Sequence, residues 1–222
     1  FYTLGVFAGP LAAEFGWGRG DIFVGILLML TGSVIAAPIL GVLIDRFNVR
    51  TVVLSSIVLF ALFLALLSRT TGSLPLFYGN WFLMSLLGAG TLPITWTRVI
   101  GGWFDRARGT ALGLALAGTG VSAALLPSYT SLLIDSVGWR GAYLGLAVLV
   151  LFVSFPVVYL LLRDPRSSFR TDGSSLAPEQ GITLREAVAT YRFWLIAAAI
   201  SMVSVGISGG IANLVPLLTD NG

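Results

Sequence analysis

Six stretches of this chain contain no charged side chain, and each is as long as a membrane crossing. There are 23 uncharged residues between Asp21 and Asp45, 18 between Arg50 and Arg69, and 28 between Arg69 and Arg98. Another 26 lie between Arg108 and Asp135, 22 between Arg140 and Arg163, and 27 between Arg192 and Asp220. The hydrocarbon core of a bilayer takes about 20 apolar residues per helix. The chain is 56% hydrophobic and 10% charged, against about 25% charged in an ordinary soluble domain, so a water-soluble fold could not hide its apolar surface. The gaps predict an all-α integral membrane protein with spans over about 22–44, 51–68, 76–102, 109–134, 141–162 and 192–222. The 13 uncharged residues before Glu14 are too few to cross. They begin without a basic n-region and are read as a truncated first helix, not a signal peptide.

The chain has no Cys and no His, which removes thiol nucleophiles, disulfides, Cys/His metal sites and histidine bases. No enzyme, cofactor or metal site is therefore expected. The net charge of +3 does not point to nucleic acid, because the 13 basic residues are all arginines and twelve of them are dispersed between the spans. Membrane topology accounts for them better. With the truncated helix counted as the first span, the joints after spans two, four and six hold Arg46, Arg50, Arg106, Arg108, Arg163, Arg166, Arg170, Arg185 and Arg192, against Arg19, Arg69 and Arg140 on the other side. Short cytoplasmic loops carry the excess of arginine. That places the N-terminus and the central loop on the cytoplasmic side of a cell membrane. Trp17 and Trp139, each beside a glycine turn, are expected at headgroup level.

Residues 163–191 form the one linker-like segment, rich in Pro, Gly and Ser. Its end, Thr183-Leu184-Arg185-Glu186, fits a capping box and predicts a short amphipathic surface helix. Six spans (1–162), a linker (163–191) and a seventh span (192–222) suggest a parent of twelve helices in two six-helix bundles, of which this chain covers the first bundle and the start of the second.

The joint after span two reads Gly41-Val42-Leu43-Ile44-Asp45-Arg46-Phe47-Asn48-Val49-Arg50. Here Gly41 would let span two approach a neighbour closely, and Asp45 could cap a helix or pair with arginine. Asn48 is suited to a left-handed turn. The joint resembles the G-x-L-x-D-R-x-G-R-[KR] signature of the major facilitator superfamily at Gly41, Leu43, Asp45, Arg46 and Arg50, with Asn48 and Val49 departing from it. The joint after span four, Trp103-Phe104-Asp105-Arg106-Ala107-Arg108-Gly109, and the run to Gly118-Thr119-Gly120 are similar to the W-F-x-x-R-R-G-x-A-x-G-x-x-x-x-G-x-G pattern of that superfamily's monocarboxylate and oxalate/formate branch. The turns at Phe15-Gly16-Trp17 and Gly138-Trp139-Arg140 and the Pro216-Leu217 end of span seven also fit. The resemblance implies a secondary transporter working by alternating access, with Gly41, Asp45, Arg46, Arg50, Asp105, Arg106 and Arg108 gating it. Its partners would be the bilayer, a small-molecule substrate such as a mono- or dicarboxylate, and a coupling proton or counter-anion.

Two departures limit the analogy. The lysine that monocarboxylate carriers hold in span one falls near Tyr2, so their proton and anion site does not transfer. Drug/proton antiporters carry an arginine in span four, near Met84 here, and a Gly-Pro pair in span five; both are missing, which weakens the alternative of a drug or xenobiotic exporter. A membrane receptor or sensor would need a soluble signalling domain. Gly118-x-Gly120-x-x-Ala123 mimics a dinucleotide fingerprint, but it lies inside a charge-free span where a strand-to-helix turn is required. It reads instead, with Gly113, Ala117 and Ala124, as a small-residue packing stripe.

Arg98 is the one arginine set within a span, where a charge points to function. The competing reading is that it snorkels the roughly 9 Å to the boundary at Phe104. In the superfamily, spans one, four and seven line the central cavity. That implies Tyr2, Asn80, Thr97 and Asn213 as further substrate-binding candidates, joined by Tyr129 in span five. Each could equally satisfy a neighbouring helix. No Asp or Glu lies within a full span, so a proton carrier is not offered by these helices.

Overall fold

A computed structural model of the chain describes residues 3–103 and 107–162, together with 189–191, 194–195 and 198. Two compact units divide it, Phe1–Gly173 and Ser174–Gly222. The expected linker and seventh span fall almost wholly outside the described residues. The described part of the first unit is helical throughout, apart from short turns.

Helix α1 (Leu4–Phe15) stops at Gly16, whose φ of 67° lets its N–H reach the carbonyl of Ala12 at 2.9 Å. Such a left-handed cap favours glycine. Two residues on, the N–H of Gly18 donates to Asp21 Oδ2 at 3.0 Å, placing a carboxylate at the positive end of α2 (Arg19–Arg46). The buried residues of α2, Ile22, Gly25, Met29, Gly32, Ala36, Leu40 and Ile44, recur every three or four positions. They form a narrow stripe along one face. Leu27 and Val34, 62% and 73% exposed, lie off that stripe, an apolar exterior that hydrocarbon can cover.

The stripe packs against α4 (Leu74–Leu87) through missing side chains. A Cβ on Gly25 would lie 3.1 Å from the Trp81 ring, and one on Gly32 would lie 2.7 Å from Ser85 Oγ and 2.9 Å from the carbonyl of Phe82. Ser85 then donates to the carbonyl of Met29 at 2.5 Å. At Gly41, expected to provide such an approach, a Cβ meets no described atom within 4 Å. Among the described residues, the packing surface of α2 against α4 runs through Gly25 and Gly32. The expected left-handed turn at Asn48 is also absent. Asn48 is extended (φ −66°, ψ 134°) and precedes α3 (Val49–Leu67) as its N-cap, its carbonyl accepting from the N–H of Val52 at 3.1 Å. Two extended residues, Phe47 and Asn48, reverse the chain without a positive φ.

The stretch expected as one span over 76–102 is interrupted. Helix α4 ends at Leu87, a single 3₁₀ turn covers Ala89–Thr91, Leu92 is extended, and α5 (Pro93–Trp103) begins anew. Proline lacks an N–H and drives its predecessor out of the helical region, while Gly88 and Gly90 weaken the turn before it. Ser56 of α3 accepts the freed N–H of Gly90 at 3.1 Å, so the break leaves that donor satisfied within the membrane interior.

Helix α6 (Arg108–Leu149) runs for 42 residues, with one non-helical residue inside, Gly138 (φ 74°, ψ 170°). A straight helix of that length would measure about 63 Å, twice a bilayer core. Gly138 folds it back on itself: a Cβ on Gly145 would lie 2.9 Å from Leu133. The second limb passes through a π turn (Val150–Ser154) into α7 (Phe155–Leu161).

Two buried clusters sit at opposite ends of the bundle. One gathers Phe7, Leu11, Ile22, Trp81 and Tyr143 with Trp17 and Trp139; the other gathers Leu40, Ile44, Val53, Ile57, Val99 and Val158. Both tryptophans expected at headgroup level are turned into the protein, 9% and 7% exposed. Trp17 lies 5.1 Å from Phe77 and Trp139 lies 5.9 Å from Phe15, centre to centre.

Candidate functional site

The break between α4 and α5 opens a groove of about 500 Å³ against α6, lined by Thr91, Pro93, Trp96 and Thr97 on one side and by Leu116, Gly118, Thr119 and Ser122 among others on the other. Its walls are mostly apolar, with four hydroxyls set into them. Each hydroxyl donates to a carbonyl of its own chain segment: Thr91 to Gly88 at 2.8 Å, Thr97 to Ile94 at 2.9 Å, Thr119 to Leu116 at 2.6 Å and Ser122 to Gly118 at 2.9 Å. Trp96 Nε1 likewise donates to the carbonyl of Thr91 at 3.3 Å. With their protons committed, the hydroxyls offer oxygen lone pairs to whatever enters. Among the described residues that line it, none is charged.

Of the predicted substrate-binding residues, Thr97 lines this groove. Arg98 follows it on α5; its side chain, and Tyr2 and Asn213 altogether, lie outside the described residues. Asn80 is elsewhere, between α3 and α4, where its amide donates to the carbonyl of Phe63 at 3.1 Å and accepts from the N–H of Leu67 at 3.2 Å. Tyr129 stands on α6, 38% exposed, and does not line the groove. The glycines of the supposed packing stripe, Gly113, Gly118 and Gly120, meet no described neighbour within 4 Å of an added Cβ, so the stripe is open and Gly118 forms part of the groove wall. Sequence reading passed over Thr119 and Ser122, although two hydroxyls three residues apart in a charge-free helix share a face.

At the end of the bundle where α3 begins lie those of the predicted gating residues that the structure describes. Arg50 Nη2 donates to the carbonyl of Tyr159 on α7 at 2.6 Å, and its guanidinium lies 4.7 Å from the centre of that ring. This joins the start of α3 to the last turn of α7, whose carbonyls lack helical partners. Asp45 and Arg46 are exposed at the end of α2. Asp105 and Arg106 lie outside the described residues, as does the side chain of Arg108.

The opposite end holds a clamp that the sequence did not advertise. Arg140 grips Glu14 with two bonds, Nη1 to Oε2 at 2.9 Å and Nη2 to Oε1 at 2.6 Å. Trp139 Nε1 donates to the same carboxylate at 2.6 Å, and the guanidinium stacks 4.1 Å from the Trp139 ring centre. The hydrogen bonds from Arg140 and then Trp139 hold the Glu14 carboxyl below its ordinary value, and Glu14 in turn raises Arg140. The clamp ties the end of α1 to the residues just after the Gly138 reversal.

Comparison with known proteins agrees with this architecture. Over 154 residues, 68% of this chain and 30% of the other, it is 30% identical to the "Uncharacterized MFS-type transporter YfiU" of Bacillus subtilis (strain 168). It is 32% identical to human "Monocarboxylate transporter 11" over 165 residues, 67% of this chain and 33% of the relative. Human "Monocarboxylate transporter 2" is 32% identical over 124 residues, 56% of this chain and 26% of that protein. The chain thus spans about a third or less of the length of these curated relatives. No solved structure gives a significant match. The sequence profile described as Major Facilitator Superfamily matches residues 1–221, and the chain belongs to that family of multi-pass membrane proteins.

Proposed function

We propose that the full-length protein is a secondary carrier moving a small organic anion across the membrane by alternating access, with the groove between α5 and α6 forming part of the path. The observation that carries the reading is the interruption of the α4/α5 span at Gly88–Pro93, beside that groove. In carriers, broken helices near the middle of the bilayer recur at substrate sites. Four hydroxyls on apolar walls suit a small polar solute, their protons turning from the backbone to the solute when it is an anion, and Arg98, next to Thr97 on α5, supplies the charge an anion requires. The names of the relatives support a monocarboxylate as the substrate class.

In this reading residues 1–162 are the first of two six-helix halves, 163–191 joins them, and Tyr2, Asn213 and Tyr129 contribute from neighbouring spans. Gly41, Asp45, Arg46, Arg50, Asp105, Arg106 and Arg108 work the gate on the cytoplasmic side, where the arginine excess places the N-terminus. A coupling proton or counter-anion is handled by helices beyond this chain, since its spans hold no carboxylate. The test is uptake of a labelled monocarboxylate into proteoliposomes by full-length wild type and by an Arg98→Gln variant that reaches the membrane. Weaker apparent affinity in the variant is the expected result; unchanged affinity removes Arg98 from the site. Sidedness is checked separately, by reagent accessibility of Arg46→Cys and Arg69→Cys in a cysteine-free background.

A further inference from the structure

A second groove, of about 360 Å³, lies between α3 and α4 and shares no lining residue with the first. We infer that it seats a phospholipid of net negative headgroup charge, with Arg69 holding the phosphate and the α3/α4 crevice holding the start of an acyl chain. The inference does not depend on what the protein carries.

The crevice has the two-part chemistry of a lipid. Leu66, Leu76 and Leu83 line it and remain 44%, 69% and 39% exposed, an apolar wall contributed by both helices that water would leave uncovered at a cost. Its mouth is polar, formed by Arg69, Thr70 and Thr71. Helix α3 has 19 residues, about 28 Å at 1.5 Å each, so Arg69, two residues beyond its end, stands where the hydrocarbon core gives way to headgroups. Arg69 is exposed and has no ion pair among the described residues. A guanidinium offers a rigid fork of N–H donors that matches phosphate oxygens. The mouth also adjoins the start of α4 (Leu74–Leu87), the positive end of that helix.

The described lining contains no Asp or Glu to receive the ammonium of a zwitterionic headgroup, and the preference falls on a headgroup such as phosphoglycerol. Deeper in, Asn80 spends its amide on the backbone of α3. The floor of the groove therefore asks nothing polar of an acyl chain.

The experiment uses full-length protein in nanodiscs and measures association of spin-labelled phosphatidylglycerol and phosphatidylcholine. Wild type should favour phosphatidylglycerol, and Arg69→Gln should lower that association about fivefold, the worth of one arginine at an anionic surface, while leaving phosphatidylcholine as in wild type. Gly79→Trp keeps the charge but fills the crevice, since Gly79 lines it and a Cβ there meets no described atom within 4 Å; it should lower association too. Any one of three results overturns the assignment: no preference in wild type, full association in Arg69→Gln, or full association in Gly79→Trp. Competition by water-soluble glycerol phosphate would also overturn it, by assigning Arg69 to a free anion.

Discussion

Arg50 holds Tyr159 twice, through a hydrogen bond of 2.6 Å to its carbonyl and through its ring at 4.7 Å. The two contacts can be separated by mutation. Arg50→Gln removes both and should cost about 2–4 kcal/mol, the range for a hydrogen bond from a charged group together with an exposed cation–π contact. Tyr159→Leu keeps the carbonyl and should cost roughly 0.5–1 kcal/mol. Thermal unfolding in detergent checks both; equal losses would mean that the ring and not the carbonyl carries the contact.

The Glu14–Arg140 clamp makes stability depend on pH in a defined direction. Glu14 is held below its ordinary value of 4.5, so its contribution is complete above that value and is lost as pH falls through the lowered one. Arg140 is raised, so its contribution persists through neutral pH and is lost only in strong alkali. Melting temperatures of wild type and Glu14→Gln should differ by a constant amount at pH 6–8 and converge as the pH drops below 4.5. A difference that persists in acid would contradict the clamp.

Three glycines of α2 should respond in opposite ways to alanine. Gly32→Ala forces a methyl against Ser85 and the backbone of Phe82 and should destabilise by about 1–3 kcal/mol. Gly25→Ala meets the rings of Trp81 and Phe77 at 3.1–3.3 Å and should fall between. Gly41→Ala meets no described atom within 4 Å and should be neutral or stabilise by up to about 1 kcal/mol. The order of the three melting temperatures is the measurement.

Ser56 accepts the N–H of Gly90 where the α4/α5 span breaks. Ser56→Ala leaves that donor unpaired in an apolar setting and should cost about 1–3 kcal/mol, read by thermal unfolding and by faster hydrogen exchange at the amide of Gly90. Unaltered exchange there would mean the break is held by other contacts.

Charge spacing brought part of the secondary structure into view. Helices α2 and α3 and the reversal near Gly138 lie where charges stop and start. The break at Gly88–Pro93 was written in the sequence as Gly-Ala-Gly followed by proline, but a run of 28 uncharged residues made one helix the simpler reading. What could not be read is pairing at a distance. Gly25, Gly32 and Gly41 look alike along the chain, and only the position of α4 separates those that fill a contact from the one that does not. Glu14 and Arg140 are 126 residues apart, and each alone reads as a loop charge. In the groove, Thr97 was found by its span, whereas Thr119 and Ser122 become visible only once α5 is set against α6.

The positive φ at Gly138 also bears on what this turn tolerates. A reversal by one residue leaves no slack loop between the two limbs of α6. An insertion there would shift the register of one limb against the other and carry Gly145 away from Leu133.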